Sequence, residues 1–462
     1  MAESPKSGTG ALPRGDGWSD GWTTDQLETL RRYRPSGTAR WRRHDWNPVL
    51  LGLALLVAAL AVMNVAMRFQ ITAGVTTGYA LAIVTMPLWL ATAARYRYYP
   101  TVLVLAVVSV ATGLFLTLAS SVTHEVLWSR AVANSALLGG SVLAAGVILW
   151  TRPVLAEWQI GMLLGAGLLL RAAAAPAASN PWKSEWAVPV IVLVLAVTQA
   201  ARSRVLGILA LVTLSAISAV NDSRSLAGML LMTAVILSIQ LLPLPDRFMR
   251  IGTGRALLFA SALGYVIYWI FTRLALNGAF GAHTQLRSEE QVLRAGSLIL
   301  GARPEIAATA GLFRHEPAGF GSGTVLNPSG IAVAQEAMGQ INYDADNGYV
   351  YNYMFGRSIE LHSGIGDLWA LFGLPGLVLV VVVVWALLNS LAHAFSTRSV
   401  TPLQIIVSLL ALWNVFFGPL YSLGPFLVFS LGLILIPHGK PSFLGIRGPL
   451  SGDTPPVRGA RA

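Results

Sequence analysis

Apolar residues run along this chain in blocks too long for the core of a water-soluble domain. A hydrocarbon layer about 30 Å thick takes roughly 20 residues of helix. About twelve such runs can be marked, near 49–67, 71–94, 100–120, 131–150, 154–171, 186–200, 205–221, 225–243, 256–277, 367–390, 403–418 and 422–437. They predict an all-α polytopic membrane protein, because a helix satisfies its own backbone polar groups inside lipid. The runs at 186–200 and 205–221 are short, and a merged or re-entrant pair there would change the count. Most connections between runs are only a few residues long; 278–366 is the exception, at nearly 90. The chain therefore divides into a polar tail (1–47), nine predicted transmembrane helices (48–277), a large loop (278–366), three more helices (367–437) and a second tail (438–462). Both tails are rich in Gly, Pro, Ser and Arg and read as disordered. A short helix near 25–33 is compatible with Asp25 as cap and Glu28 three residues on.

Composition sharpens this reading. Of 462 residues 55% are apolar and 11% charged, against about 25% charged in a soluble domain, which excludes an ordinary soluble enzyme. The absence of cysteine excludes disulfides, thiolate nucleophiles and cysteine zinc sites. The net charge of +11 would in a soluble protein hint at nucleic acid, but its placement points to topology instead. With the amino terminus in the cytoplasm, the tails and the inner connections hold 21 of the 32 Lys and Arg residues. The positive-inside rule then puts both termini in the cytoplasm and the long loop outside. The first apolar run lies behind an arginine cluster and reads as a signal anchor, not a cleavable signal peptide. No internal repeat is detected. Basic residues left on the outer side are unusual and call for a reason.

Three of them, or their neighbours, can carry chemistry. Arg224, in Asn221-Asp-Ser-Arg224, stands at the outer start of a helix, where the dipole is already positive. With Asp222 or Ser223 as cap, the guanidinium and the free N–H groups suit a phosphate; pairing with Asp222 or contact with lipid headgroups would explain it equally well. Arg303 precedes a helix expected over Pro304 to Phe313, with Pro at its first position; alone it would be a solvated charge. His362 lies just before a membrane run, close in sequence to Glu360 and Asp367, where imidazole can take a proton from a hydroxyl. An interfacial histidine bonded to backbone is the plainer reading. Tyr349, Tyr351 and Tyr353 belong either to an aromatic belt or to a sugar platform.

Other patterns fail on chemistry. Gly319-Phe-Gly-Ser-Gly323 lacks the lysine of a P-loop and reads as a tight turn. His124-Glu125 lacks the second histidine of a zinc helix, since Trp128 takes its place. Asp344-Ala-Asp346-Asn-Gly348 begins like a calcium loop, but Phe355 stands where the bidentate glutamate belongs.

Taken in order, these outer features resemble the bacterial O-antigen ligase and polymerase family. The similar segments are Ser223-Arg224-Ser-Leu-Ala, opening a span; Gly301-Ala-Arg303-Pro-Glu-Ile, running on to the glycine turn Gly319 to Gly323; and His362-Ser363 followed by Gly373, within Leu371-Phe-Gly-Leu-Pro-Gly376. The tryptophan common after the loop arginine is missing, with Ile306 and Ala307 there. The resemblance implies a multi-span glycosyltransferase of the bacterial inner membrane, working on the outer face. It would take a glycan from a polyprenyl-pyrophosphate donor to an acceptor hydroxyl on a glycan, lipid or wall polymer. Membrane lipids are its surroundings; nucleic acid, nucleotide sugar, metal and other cofactors are not expected. On this reading Arg224 and Arg303 hold the pyrophosphate and His362 deprotonates or orients the acceptor. Gly319, Gly321, Gly323, Ser363, Tyr349 and Tyr351 contact substrate. Ligation and polymerisation remain alternatives, and a polysaccharide transporter or flippase is the rival from another class. A transporter would be expected to carry ionisable groups near the membrane midplane, where these runs are almost uncharged.

Overall fold

The computed structural model describes residues 48–438 apart from 73, 177, 243–251 and 280. The two tails, the helix expected near 25–33 and the arginines at 247 and 250 lie outside the described residues. Helix predominates. Helix α1 (Pro48–Met67) ends on a small antiparallel hairpin, β1 (Gln70–Thr72) and β2 (Val75–Thr76), with Gln70 opposite Thr76. Two short helices follow, α2 (Thr77–Val84) and α3 (Met86–Ala93), where the sequence reads as one run. The break at Thr85 has a local cause: Pro87 has no N–H for the helical ladder and its ring crowds the preceding turn, while the Thr85 hydroxyl donates to Leu81 O at 2.7 Å.

Then come α4 (Tyr99–Ser120), α5 (Trp128–Thr151), α6 (Glu157–Ala173), α7 (Ala187–Ala200) with a π-helical lead at Trp182–Trp186, α8 (Arg204–Val220), α9 (Arg224–Ile239) and α10 (Thr253–Leu276). The pair α7 and α8 forms two separate helices, joined by a turn at 201–203. The long loop is itself largely helical: α11 (Ala282–Ala295), α12 (Leu298–Ala302), α13 (Glu305–His315), α14 (Pro328–Gly339) and a π-helical turn at Tyr349–Met354. Helices α15 (Gly364–Ser396), α16 (Pro402–Phe417) and α17 (Leu420–Ile434) complete the described chain.

Five stretches are long and apolar enough to cross a membrane: α1, α4, α5, Trp182–Ala200 and α15; among the described residues α8, α9, Ser261–Leu276, α16 and α17 are apolar but shorter. Large apolar side chains on α1 and α4 point outward, Leu60 at 59% exposure and Phe115 at 68%, as lipid-facing side chains do. Of the five long stretches α5 is the most enclosed. Gly140 takes the ring of Tyr79 against its backbone, where a Cβ would lie 2.4 Å from that ring, a close approach of the small-residue kind used between membrane helices.

The connections sort into two ends. At one, Arg152 donates to Leu435 O at 2.6 Å, the Arg97 amide to Ile436 O at 2.8 Å, and Arg204 to Arg398 O at 2.8 Å. The other end holds the loop. There the Leu127 amide donates to Gly323 O at 2.8 Å and Val325 to Glu125 O at 2.9 Å. Helix α15 is kinked within this half, since Gly373 has φ 68° and Pro375 follows.

Candidate functional site

The loop is fastened at its middle. In the run from Gly319 to Gly323 every amide has a partner. Gly319 donates to Glu316 O at 3.1 Å, Phe320 and Gly321 both donate to Ala370 O at 2.8 and 3.0 Å, and Ser322 donates to Gly113 O at 3.1 Å. The Gly323 amide donates to Thr117 Oγ1 at 3.0 Å. Gly321, at φ 112°, brings its backbone so near α4 that a Cβ would stand 2.3 Å from the Thr117 nitrogen. The glycines thus form a seam with α4 and α15, and their amides are engaged by protein, not turned towards a phosphate.

Beyond the seam the chain returns to α15 through an extended segment with alternating burial. Ile359 and Leu361 are fully buried and Glu360 between them is half-buried. Asp367 fixes this segment: its two carboxylate oxygens accept the Leu361 amide at 2.6 Å and the Leu420 amide at 2.8 Å. Ser363 caps α15, its hydroxyl accepting from the Gly366 amide at 3.4 Å. That capping role explains a small hydroxyl residue after the histidine. His362 itself sits at φ 48°, a left-handed conformation uncommon for a residue with a side chain, with Nδ1 3.4 Å from Glu360 O.

The His362 ring faces Tyr349 at 5.7 Å between centroids, and Tyr349 stacks on Tyr353 at 6.2 Å. The Tyr349 hydroxyl donates to the buried carboxylate of Glu305. Burial, with the negative charge of Glu305 beside it, pushes the Tyr349 phenol up, against the opposing pull of Arg303. Tyr349 therefore bonds Glu305, lies against His362 and stands within the field of Arg303. Tyr351 is exposed, its hydroxyl accepting from Gln335 Nε2 at 2.9 Å.

Arg224 is differently engaged. Its Nη1 donates to Ser288 Oγ on α11 at 3.3 Å and its Nε lies 3.8 Å from Asp222, which Lys183 also approaches at 3.5 Å. Neither expected cap forms as drawn: Ser223 is the N-cap residue of α9, but its side chain makes no capping bond. No contact joins Arg224 to the Arg303 and His362 group among the described residues.

Between the hairpin, α5 and the return segment lies a cavity of about 460 Å³. Arg68, Arg130, Asn134, Glu360, Asp367 and Tyr421 bring most of its polar chemistry. Burial raises the Glu360 carboxyl above its ordinary range, while His362 and Arg130 pull it down. Sequence reasoning missed Arg68 and Arg130. The signal was present, for both are basic residues in connections that the charge pattern predicts to be outer, where the positive-inside rule makes them exceptions.

Comparison of the chain with protein-family models, with characterised proteins and with solved structures gives no match.

Proposed function

We propose that this chain is a polytopic glycosyltransferase of the bacterial inner membrane, with about twelve spans, both termini in the cytoplasm and the loop outside. It moves a glycan from a polyprenyl-pyrophosphate donor to an acceptor hydroxyl, as O-antigen ligases and polymerases do. The observation that carries this reading is the meeting of unlike groups at the loop-bearing end: His362 and Glu360 on one clamped segment, beside a cavity lined by two arginines. A transfer of this kind needs a proton acceptor for the incoming hydroxyl and fixed cations for a diphosphate that leaves with growing negative charge.

In the proposed step His362 takes the proton of the acceptor hydroxyl, and that oxygen bonds to the anomeric carbon. The bond from that carbon to the diphosphate oxygen breaks, and its electron pair leaves with the lipid diphosphate. One displacement inverts the anomeric configuration. Arg303, whose charge acts on the Tyr349 that lies against His362, belongs to this group. Arg224 supports it from outside by holding α11. Tyr349 and Tyr351 offer ring faces to sugar.

Deleting the gene and weighing the lipid-linked glycans tests the reading. Single repeats accumulate if the activity is polymerisation and finished chains if it is ligation; an unchanged pool sinks the proposal. Membranes carrying His362→Ala should retain the protein and lose transfer by about 100-fold or more, the size of a general-base contribution.

A further inference from the structure

Of the two cavity-lining guanidinium groups, Arg130 has Glu360 beside it, and Arg68 is the less compensated. Arg130 stands in the first turn of α5, where the helix dipole is positive and a cation is disfavoured unless an anion is close. Arg68 follows the last turn of α1 at φ 50°, and its Nε is buried with no hydrogen-bond partner, a costly state for a charged donor. Arg171 is near enough to add a third positive charge to its surroundings, with Glu185 acting on it in the opposite sense. Against these stand two carboxylates that line the cavity. Asp367 has an amide on each oxygen, and Glu360 faces both Arg130 and His362. Positive charge is therefore left over at the Arg68 side, next to the neutral polar groups of Gln70, Thr76 and Asn134.

We propose that this cavity holds the diphosphate of a prenyl diphosphate, gripped between Arg68 and Arg130, with the lipid chain leaving along the apolar outer faces of α1 and α4. The assignment rests on the glycosyl-transfer reading and makes it specific. It moves the donor's headgroup from Arg224 and Arg303, which the sequence favoured, to two arginines outside the resembling segments. The cavity's volume lies within the range of small-molecule sites. Glu360, on the wall beside Arg130, then stands near the carbon that the diphosphate leaves.

Purified full-length protein in detergent tests this by titration with farnesyl diphosphate, with inorganic pyrophosphate and phosphatidylglycerol as competitors. The unaltered protein binds farnesyl diphosphate. Arg68→Gln and Arg130→Gln each weaken binding at least tenfold, Arg68→Lys weakens it less, and Arg314→Gln, on an exposed residue of α13, leaves it unchanged. Thermal unfolding of each variant separates lost binding from lost fold, and the lysine replacement keeps the test open if the glutamine one does not fold. Pyrophosphate competes and phosphatidylglycerol does not; equal competition by phosphatidylglycerol would mark a general lipid-headgroup site and overturn the proposal. Unchanged binding in the Arg68 and Arg130 variants, with loss in Arg303→Gln, overturns this assignment but leaves the glycosyl-transfer reading standing. No binding of farnesyl diphosphate by the unaltered protein brings both down.

Discussion

Glu360 shows how a single side chain can report on the site. Its carboxyl is held above the ordinary range because burial disfavours the charge more than His362 and Arg130 support it. The folded value lies above the unfolded one, so the associated stability is complete below the unfolded carboxylate range, near about 4.3. It is lost as pH rises through the raised value. Glu360→Gln removes that titration. The unfolding temperature of the native protein should decline from weakly acidic pH upward relative to the variant, and parallel curves would contradict the burial argument. The same residue marks a limit of sequence reading. In the sequence Glu360 stands out only as a neighbour of His362, because its link to Arg130 spans 230 positions and order along a chain carries no distances. Arg224 shows the opposite error. Its place at a helix start was legible, but its partner Ser288 lies on a loop helix that the hydrophobic pattern does not mark.

At the level of elements, the long apolar runs were readable because each is a one-dimensional block of the right length. Their interruptions were not. The Thr85 break has Pro87 as a cue and the kink at Gly373 has Pro375, but the close contact there is not legible in sequence: Ala318 O would stand 2.8 Å from a Cβ at Gly373. The glycine seam belongs to the same class, legible as a turn but not as a joint between the loop, α4 and α15. Gly321→Ala should test it directly. The new methyl meets backbone, not a flexible side chain, and the φ of 112° is itself unfavourable. Overpacking of this kind costs about 1–3 kcal/mol. A fall in thermal stability and yield is expected, and unaltered melting would mean that the seam is not tight.

For the whole molecule, the orientation that the charge pattern predicts can be tested on the two ends of the structure. Arg95, Arg97, Arg152, Arg204 and Arg398 come to the end opposite the loop through the contacts around Leu435 to His438 and Arg398. The absence of cysteine gives a clean background for testing which end is which. A thiol introduced at exposed Ser329 in the loop should react with a membrane-impermeant maleimide in intact cells. One introduced at Ala201, exposed at the other end, should react only after the cells are opened. The reverse pattern would invert the proposed orientation, and labelling of both in intact cells would deny that the two ends are separated by a membrane.

The seam also limits how the loop can move. Because residues 319–323 are bolted to α4 and α15, the loop cannot swing away as one lid. The segments before and after the bolt are themselves packed together, α13 against α14 with Gly311 close upon Ala337, and Tyr349 bonded back to Glu305. On the proposed function a bulky glycan therefore meets a preset surface, braced on both sides of the bolt, and not a cover that folds down over it.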